Sequence, residues 1–326
     1  RVGVEDNFFE LGGHSLLAMQ LMSEIEKQFK IRLYLSQLIL SPIIKTLAVE
    51  IQAKQPKRQL IVPIRAKGDK SPIFLIHPGD GMTLCYSAIA EALNHSHPVY
   101  CIQSPQIAGI QLYPLDLTTV CRAYVSEILK LQLRGPYCLA GWSLGGILAF
   151  EITRILEHQG HCVQWVALFD ALWGSNASFA QENVKDALIH FRESPTPEDF
   201  LSLILKLSDE RIDSLFGPGV ASVIKTSHSD KFVKHAFLEF YYSMKMAAQL
   251  MEEFIPMKLQ APIHAFWAEE SAGGNFDTKA WQVLSANARS SSIHTLPGNH
   301  HNFLSGANAQ LIASTLNTIW EAESPQ

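Results

Sequence analysis

A serine flanked by glycines is the residue in this sequence best suited to chemistry. The motif Gly-Trp-Ser-Leu-Gly at 141–145 follows an apolar segment at 137–140 and opens a helical pattern at 146–151. A serine at such a sharp strand-to-helix turn presents its hydroxyl at the edge of a sheet, and the glycines avoid collisions that a Cβ would cause. Because a helix N-terminus also stabilises developing negative charge, the motif predicts that Ser143 is a catalytic nucleophile.

A serine nucleophile needs a base that removes its proton, and two histidines compete for this role. His300 and His301 follow the apolar segment 291–296 and precede a last helical pattern at about 306–321. In enzymes with a serine at a strand-to-helix turn, the base comes after the acid in the chain and lies just beyond the last strand. We predict His300, which stands just after the turn, with His301 as the alternative.

The base in turn needs a carboxylate that orients it. Asp170 ends the apolar segment 163–170, whereas Glu269 and Glu270 follow the segment 262–268. Any carboxylate that reaches the imidazole can fix its tautomer, so these residue types alone leave the choice of acid open.

An acyl-transfer reaction also needs donors for the oxyanion that forms on the substrate. The backbone N–H of Leu144, immediately after the serine, is one predicted donor. The loop His-Pro-Gly-Asp-Gly at 77–81 follows the first apolar segment of this region and supplies the second. We predict the N–H of Gly79 for this role, with that of Asp80 as the alternative.

Six apolar segments with the length and composition of buried strands position these residues, and amphipathic helical patterns lie between several of them. The segments are 72–77, 98–103, 137–141, 163–170, 262–268 and 291–296. Strands that alternate with helices predict an α/β fold with a mostly parallel, doubly wound sheet. The alternation breaks between about 174 and 255, where the sequence is helical in pattern throughout. A helical insertion of this length predicts a lid over the site.

The first 53 residues have a different pattern. Helical periodicity begins at Ser15 and again after Ser41-Pro42, an N-cap followed by a proline at the first helical position. Basic residues and prolines then concentrate between 54 and 70, a composition typical of a tether. We therefore predict a small helical domain at 1–53, a linker at 54–70 and the α/β domain at 71–326.

The segment 6–16 carries the most specific resemblance in the chain. Its sequence Asp-Asn-Phe-Phe-Glu-Leu-Gly-Gly-His-Ser-Leu closely resembles the attachment motif of the peptidyl carrier domains of nonribosomal peptide synthetases. The resemblance implies that Ser15 carries 4′-phosphopantetheine through a phosphodiester, and that a phosphopantetheinyl transferase attaches it. A helix that begins at Ser15 is consistent with this, since helix N-termini bind phosphate. Carrier domains have a further helix before this motif, so we expect residues 1–53 to form an incomplete carrier domain.

Residues 71–322 resemble the type I thioesterases that terminate such synthetases and that belong to the α/β-hydrolase superfamily. The motifs Gly-Trp-Ser-Leu-Gly-Gly, His-Pro-Gly-Asp-Gly and Gly-Asn-His-His-Asn-Phe-Leu carry this resemblance. It implies an α/β-hydrolase fold with a helical lid insertion, preceded by a small all-α carrier fragment. It also selects Asp170 as the acid, because the acid of these thioesterases usually follows the strand after the nucleophile helix.

Together the two resemblances imply a terminal thioesterase. Its substrate would be a peptidyl or acyl thioester on the carrier, delivered by upstream synthetase modules. The product would leave an acyl-Ser143 intermediate by hydrolysis or by macrocyclisation. An editing thioesterase and a catalytically silent docking module are the alternatives, and an esterase without a carrier leaves the segment 6–16 unexplained.

The composition is that of a globular protein. Hydrophobic residues make up 47% and charged residues 17%, and the formal net charge is −5. This charge gives no support for nucleic-acid binding, and no apolar run is long enough to span a bilayer, so we expect neither kind of partner. The five cysteines are scattered without paired spacing. This pattern predicts reduced core thiols in a cytoplasmic protein, and no metal site is expected.

Overall fold

The computed structural model of this chain is built around one β-sheet. It describes residues 2–13, 15–53, 58–113, 115–171, 190–191, 194–216, 219–227, 231–272 and 278–323. Within these residues the sheet has seven strands, numbered in chain order. They are β1 (Ile61–Arg65), β2 (Ile73–Ile76), β3 (Val99–Ile102), β4 (Tyr137–Trp142), β5 (Val163–Phe169), β6 (Ile263–Ala268) and β7 (Ser292–Leu296).

The strand order across the sheet is β1-β3-β2-β4-β5-β6-β7. Every neighbouring pair is parallel except β1 and β3, which are antiparallel. The six strands that the sequence predicts are all present, with ends within one residue of the predicted ones. The predicted α/β fold with a mostly parallel sheet is confirmed.

The described helices are also numbered in chain order. They are α1 (Ser15–Phe29), α2 (Leu35–Leu40), α3 (Ile44–Ala53), α4 (Ser87–Ala92), α5 (Leu117–Leu131), α6 (Leu144–His158), α7 (Pro197–Ile204), α8 (Asp209–Phe216), α9 (Val220–Ser227), α10 (Lys231–Glu253), α11 (Glu269–Ala272) and α12 (Gly306–Glu323). None of the helices in this part of the chain is both long and apolar enough to cross a membrane.

Helices cover both faces of the sheet because alternate side chains of its central strands point to opposite sides. On β2, Phe74 and Ile76 pack in one apolar cluster with residues of α5 and α6. The intervening Ile73 and Leu75 pack in a second cluster with residues of α4 and α12. The sheet is therefore the middle layer of three, and its carboxyl edge is left for the loops that carry the site residues.

Strand β1 lies inside the segment 54–70 that the sequence predicts to be a linker, so that prediction is wrong for residues 61–65. β1 pairs with β3 at the edge of the sheet, and Val62 is fully buried. Pro63 is compatible with this position because an edge strand does not need all of its N–H groups. The prolines and basic residues of the segment interrupt the strand pattern in the sequence, although a short apolar run within it folds against the sheet. Residues 54–57 lie outside the described part of the chain.

The region between β5 and β6 is helical for most of the part that the structure describes. Helices α7 to α10 lie between 197 and 253, inside the predicted lid at 174–255, and the first predicted lid residues, up to 189, lie outside the described part. These helices have an apolar cluster of their own, in which Phe191 stacks on Phe200 with ring centroids 4.4 Å apart. Helix α10 also packs in the cluster on the sheet through Met246, Ala247 and Leu250, so the region has a core of its own and is joined to the sheet.

The first three helices form a small unit around a separate apolar cluster. The sequence predicts α1 and α3 but not α2, whose six residues are too few for a clear periodic pattern. This unit contacts the α/β domain through Leu84, which packs against its cluster, and through an ion pair between Arg32 and Glu239 on α10.

All five cysteines are free thiols. Cys101, Cys121 and Cys138 are buried, as the sequence analysis predicts, and Cys85 is partly buried. Cys162 is exposed, so the prediction of core thiols is wrong for this residue.

Candidate active site

Ser143 lies at the turn between β4 and α6, where the backbone is held in an unusual conformation. Its φ is 57° and its ψ is −125°, a region that residues with a Cβ seldom adopt. The Ser143 N–H donates to the carbonyl oxygen of Phe169 at 2.9 Å, and the Ser143 carbonyl accepts from the N–H of Gly146 at 3.0 Å. Hydrogen bonds on both sides therefore hold the strained residue in place.

The glycines on either side of Ser143 are required by close backbone packing. A Cβ at Gly141 would lie 2.1 Å from the backbone of Gly145, and a Cβ at Gly145 would lie 2.2 Å from the carbonyl oxygen of Ile76. Both distances are far shorter than a normal contact. The backbones of β2, β4 and α6 can approach this closely only because these positions have no side chain.

Tyr86 ties this turn to the neighbouring strand, and the sequence analysis missed it. Its hydroxyl donates to the carbonyl oxygen of Ile76 at 2.6 Å and accepts from the N–H of Trp142 at 2.8 Å. One buried hydroxyl therefore satisfies two backbone groups at the strand ends. The partners lie 10 and 56 residues away in the chain, so no local sequence pattern indicates this role.

Asp170 is the carboxylate that contacts His300. The Nδ1 atom of His300 lies 2.7 Å from Oδ2 of Asp170, whose side chain is fully buried. The N–H of Ala268 at 3.0 Å and the hydroxyl of Ser271 at 2.8 Å also donate to this carboxylate. A buried carboxylate needs several such donors, because it has lost its hydration. The bond at Nδ1 leaves Nε2 as the ring nitrogen available for proton transfer.

The alternative acids and the alternative base lack this mutual contact. Glu269 and Glu270 begin α11 and are exposed. The Nε2–H of His301 donates to the carbonyl oxygen of Ser214 at 3.1 Å, on the side of the lid. Burial lowers the pKa of His301 to about 4, so this imidazole is neutral near pH 7.

A buried histidine, His77, fixes the conformation of the loop 77–81. The Nδ1–H of His77 donates to the carbonyl oxygen of Pro78 at 2.6 Å, and Nε2 accepts from the hydroxyl of Tyr124 at 2.7 Å. Burial lowers the pKa of His77 to about 4, which keeps the ring in the neutral form that these two bonds require. The loop held in this way brings Gly79 to the surface of a cavity.

This cavity, of about 90 Å³, brings the predicted site residues together. Ser143, Leu144, His300 and Gly79 all line it. The opposite wall is apolar and comes from α8 and α10. Its residues are Leu215, Phe216, Phe240, Met244, Ala247 and Met251. The arrangement combines a serine, a histidine and backbone N–H groups under an apolar cover, which is what acyl transfer in a water-poor site needs.

Asp80 adds a carboxylate to the same cavity. Its Oδ1 accepts from the backbone N–H of Met82 at 2.8 Å. Burial raises the pKa of Asp80 to about 6, although the hydrogen bond from Met82 opposes this shift. The sequence analysis names this residue only as an alternative donor for the oxyanion.

Ser15, the predicted attachment residue, lies in the first helical unit and is the first residue of α1. The turn before the helix is tightly packed, since a Cβ at Gly13 would lie 2.3 Å from the ring of Phe8. The first turn of α1 carries no acidic side chain, and the N–H groups of a helix N-terminus favour a phosphate. The residues present therefore fit a phosphodiester at this serine.

The sheet and the strand-to-helix turn at Ser143 define a protein of the α/β-hydrolase type. Residues 71–320 match the family model described as "Thioesterase domain", and residues 1–48 match the one described as "Phosphopantetheine attachment site". The chain belongs to the thioesterase domain family and carries a phosphopantetheine attachment site before that domain. This is the carrier–thioesterase arrangement that the two resemblances predict.

Relatives in sequence include synthetases that are much longer than this chain. A dimodular nonribosomal peptide synthase of Bacillus subtilis (strain 168) is 33% identical over 217 residues, which cover 66% of this chain and 9% of that protein. Atromentin synthetase of Tapinella panuoides is 33% identical over 176 residues, which cover 52% of this chain and 18% of that protein. The chain thus spans less than a fifth of the length of these relatives.

Two solved structures show the same architecture. Holo-AB3403, a four-domain nonribosomal peptide synthetase bound to AMP and glycine, matches 98% of this chain and 25% of its own, with a TM-score of 0.64 and 26% identity. The NocB thioesterase domain from the nocardicin cluster matches 80% of this chain and 99% of its own, with a TM-score of 0.55 and 15% identity. At that identity, the likeness to NocB shows the fold alone.

The change Tyr86→Phe should destabilise the protein, because it leaves the carbonyl of Ile76 and the N–H of Trp142 buried without a partner. We expect the free energy of unfolding to fall by about 2–3 kcal/mol, measured by urea denaturation. The matched control is Tyr113→Phe, since Tyr113 is 80% exposed, and it should change stability by less than about 0.5 kcal/mol. Equal effects of the two changes would contradict the role assigned to Tyr86.

The change Asp80→Asn should stabilise the protein near neutral pH. The pKa of Asp80 is about 6 in the folded protein against an ordinary value of 3.8. Between these values the folded protein retains a proton that the unfolded chain has lost, so wild-type stability falls as the pH rises through this range. Urea denaturation should show Asp80→Asn about 1–2 kcal/mol more stable than wild type at pH 7.5, with the difference lost near pH 3.5. An equal difference at both pH values would contradict this assignment.

Proposed function

We propose that this chain is a terminal thioesterase that takes an acyl or peptidyl chain from its own carrier unit and releases it through an ester on Ser143. The observation that carries the proposal is the hydrogen bond between the buried Asp170 and His300, which lines one cavity together with the strained Ser143 under an apolar cover. The family match supports thioesterase activity, and the geometry supports these three residues as its catalytic machinery.

In the first half of the reaction, Asp170 holds His300 in the tautomer with the proton on Nδ1, so that Nε2 accepts the proton of the Ser143 hydroxyl. The Ser143 oxygen attacks the thioester carbonyl, and the N–H groups of Leu144 and Gly79 stabilise the oxyanion. When attached to Ser15, 4′-phosphopantetheine supplies the thiol that carries the acyl chain. His300 returns the proton to the departing thiol, and the chain remains as an ester on Ser143.

In the second half, His300 removes a proton from the group that attacks the ester. Water gives a free acid, and an amine or hydroxyl of the chain itself gives a macrolactam or macrolactone. The apolar residues of α8 and α10, such as Phe240 and Met244, cover the ester and limit the access of water. The choice between hydrolysis and cyclisation then depends on the conformation that the acyl or peptidyl chain on Ser143 adopts beneath these apolar residues.

The full-length relatives are synthetases, which supports upstream synthetase modules as the source of the acyl chain. Loading of Ser15 requires a phosphopantetheinyl transferase as a second partner. The carrier unit in the same chain argues against a free-standing editing thioesterase. The contact between Asp170 and His300 argues against a catalytically silent docking module.

The change Ser143→Ala should abolish release. We would load Ser15 with an N-acetyl-leucyl chain, using a phosphopantetheinyl transferase of broad specificity and the corresponding coenzyme A thioester, and follow intact mass with time. The wild type should shed the chain, and Ser143→Ala should retain it with a rate at least about 10³-fold lower. Ser15→Ala is the control for loading and should gain no mass. Release at the wild-type rate from Ser143→Ala would show that the nucleophile is another residue.

The two histidines can be separated by labelling with a fluorophosphonate, which reacts with an activated serine. His300→Ala should slow labelling of Ser143 by about 10³-fold or more, because the base is lost. The matched change His301→Ala should slow it by less than about tenfold, since His301 contacts Ser214 on the lid rather than the acid. The reverse order would show that His301 is the base.

A further inference from the structure

Asp80 differs in charge from the other residues around the cavity. Among the described residues that line this space, it is the only acidic one, and the wall opposite Ser143 is apolar. Asp170 is not at the cavity surface, because it is fully buried behind His300. His301 is neutral near pH 7, so it does not balance this carboxylate. A bound acyl chain would therefore meet one negatively charged acceptor close to the nucleophile.

The place of Asp80 in its loop sets it beside the proposed oxyanion donor. It directly follows Gly79, whose N–H is the proposed donor to the thioester oxygen. Its carboxylate is oriented by the bond from Met82 to Oδ1, and no described lysine or arginine compensates its charge. Because Asp80 lines the same cavity as Ser143, the part of the acyl chain next to the scissile carbonyl is the part of the substrate that would lie beside this carboxylate.

The surroundings favour a hydrogen-bond donor at that position. Burial raises the pKa of Asp80 and the hydrogen bond from Met82 opposes only part of this shift, so a further donor would stabilise the ionised carboxylate. A hydrocarbon chain in the cavity would remove its remaining water without replacing it. An N–H group would instead form a charge-assisted hydrogen bond and stabilise the bound substrate.

We propose that Asp80 is a specificity-determining residue. It accepts a hydrogen bond from the N–H group of the substrate's α-nitrogen, the nitrogen bonded to the carbon next to the scissile carbonyl. The substrate class selected in this way is the α-aminoacyl or peptidyl thioester, in preference to a fatty acyl or an acyloxy chain. This inference rests on the proposed thioesterase function and adds to it a residue that reads the α-nitrogen of the substrate.

The test uses two soluble pantetheine thioesters that differ in one group. N-acetyl-leucyl pantetheine has the α-N–H, and 2-acetoxy-4-methylpentanoyl pantetheine has an ester oxygen in its place. The value of kcat/KM is measured for both with the wild type and with Asp80→Ala. The preference of the wild type for the N–H probe should exceed that of Asp80→Ala by about 10–100-fold, the effect of one hydrogen bond to a charged group. Comparing the two preferences cancels the difference in intrinsic reactivity between the probes.

Two further variants support the comparison. Asp80→Asn keeps an oxygen that can accept from Met82, so the loop keeps its shape, and its preference should lie between those of the wild type and Asp80→Ala. Glu91→Ala, at an exposed residue of α4, is the matched control and should keep the wild-type preference. A leucyl pantetheine probe, which has a free ammonium in place of the amide N–H, shows whether Asp80 also binds that cation. If it does, Asp80→Asn should lower the rate with this probe more than it lowers the rate with the amide probe.

The outcomes separate the two claims. If Asp80→Ala lowers the rates of both probes by the same factor, the residue has only a structural role and the inference is overturned. If the wild type releases neither probe and its Ser143 does not react with a fluorophosphonate, the proposed thioesterase function fails instead.

Discussion

The structure depends on the close approach of three backbones, those of β2, β4 and α6, at the point where no side chain fits at Gly141 or Gly145. This contact forces Ser143 into its strained conformation and sets its height above the sheet. Tyr86 reinforces the contact because its hydroxyl satisfies backbone groups of both strands. Ser143 is therefore fixed by the backbone, and the other groups of the site have to be placed next to it.

The carboxylate of Asp170 positions the proposed base, His300. It receives hydrogen bonds from Ala268 at the end of β6, from Ser271 on α11 and from His300 after β7. Asp170 itself has a φ of 46°, and its N–H donates to the carbonyl of Phe266 at 2.7 Å. A single buried charge therefore joins the ends of three parallel strands, and its need for donors fixes the position of the imidazole.

How much of this could be predicted from the sequence depends on the distance over which each feature acts. The strands and the turn at Ser143 have local patterns, so their positions could be predicted closely. The residues alone left Asp170 and the glutamates after β6 equally possible, since their spatial relation to His300 depends on the assembled sheet. Ser271 and Tyr86 were missed because their partners are distant in the chain. Strand β1 was missed because its proline and its basic neighbours interrupt the pattern of a short apolar run.

Helix α10 combines two contacts that are usually considered separately. Near its first turns Glu239 pairs with Arg32 of the first helical unit, and from Phe240 to Met251 the same helix covers the cavity. The thirteen residues from 239 to 251 span about 18 Å of rigid helix. An exchange of lid sequences would therefore replace the contact with the first helical unit together with the apolar wall of the cavity. An exchange meant to reshape the cavity alone would have to keep the residues of α10 that face Arg32 and change only those that line the cavity.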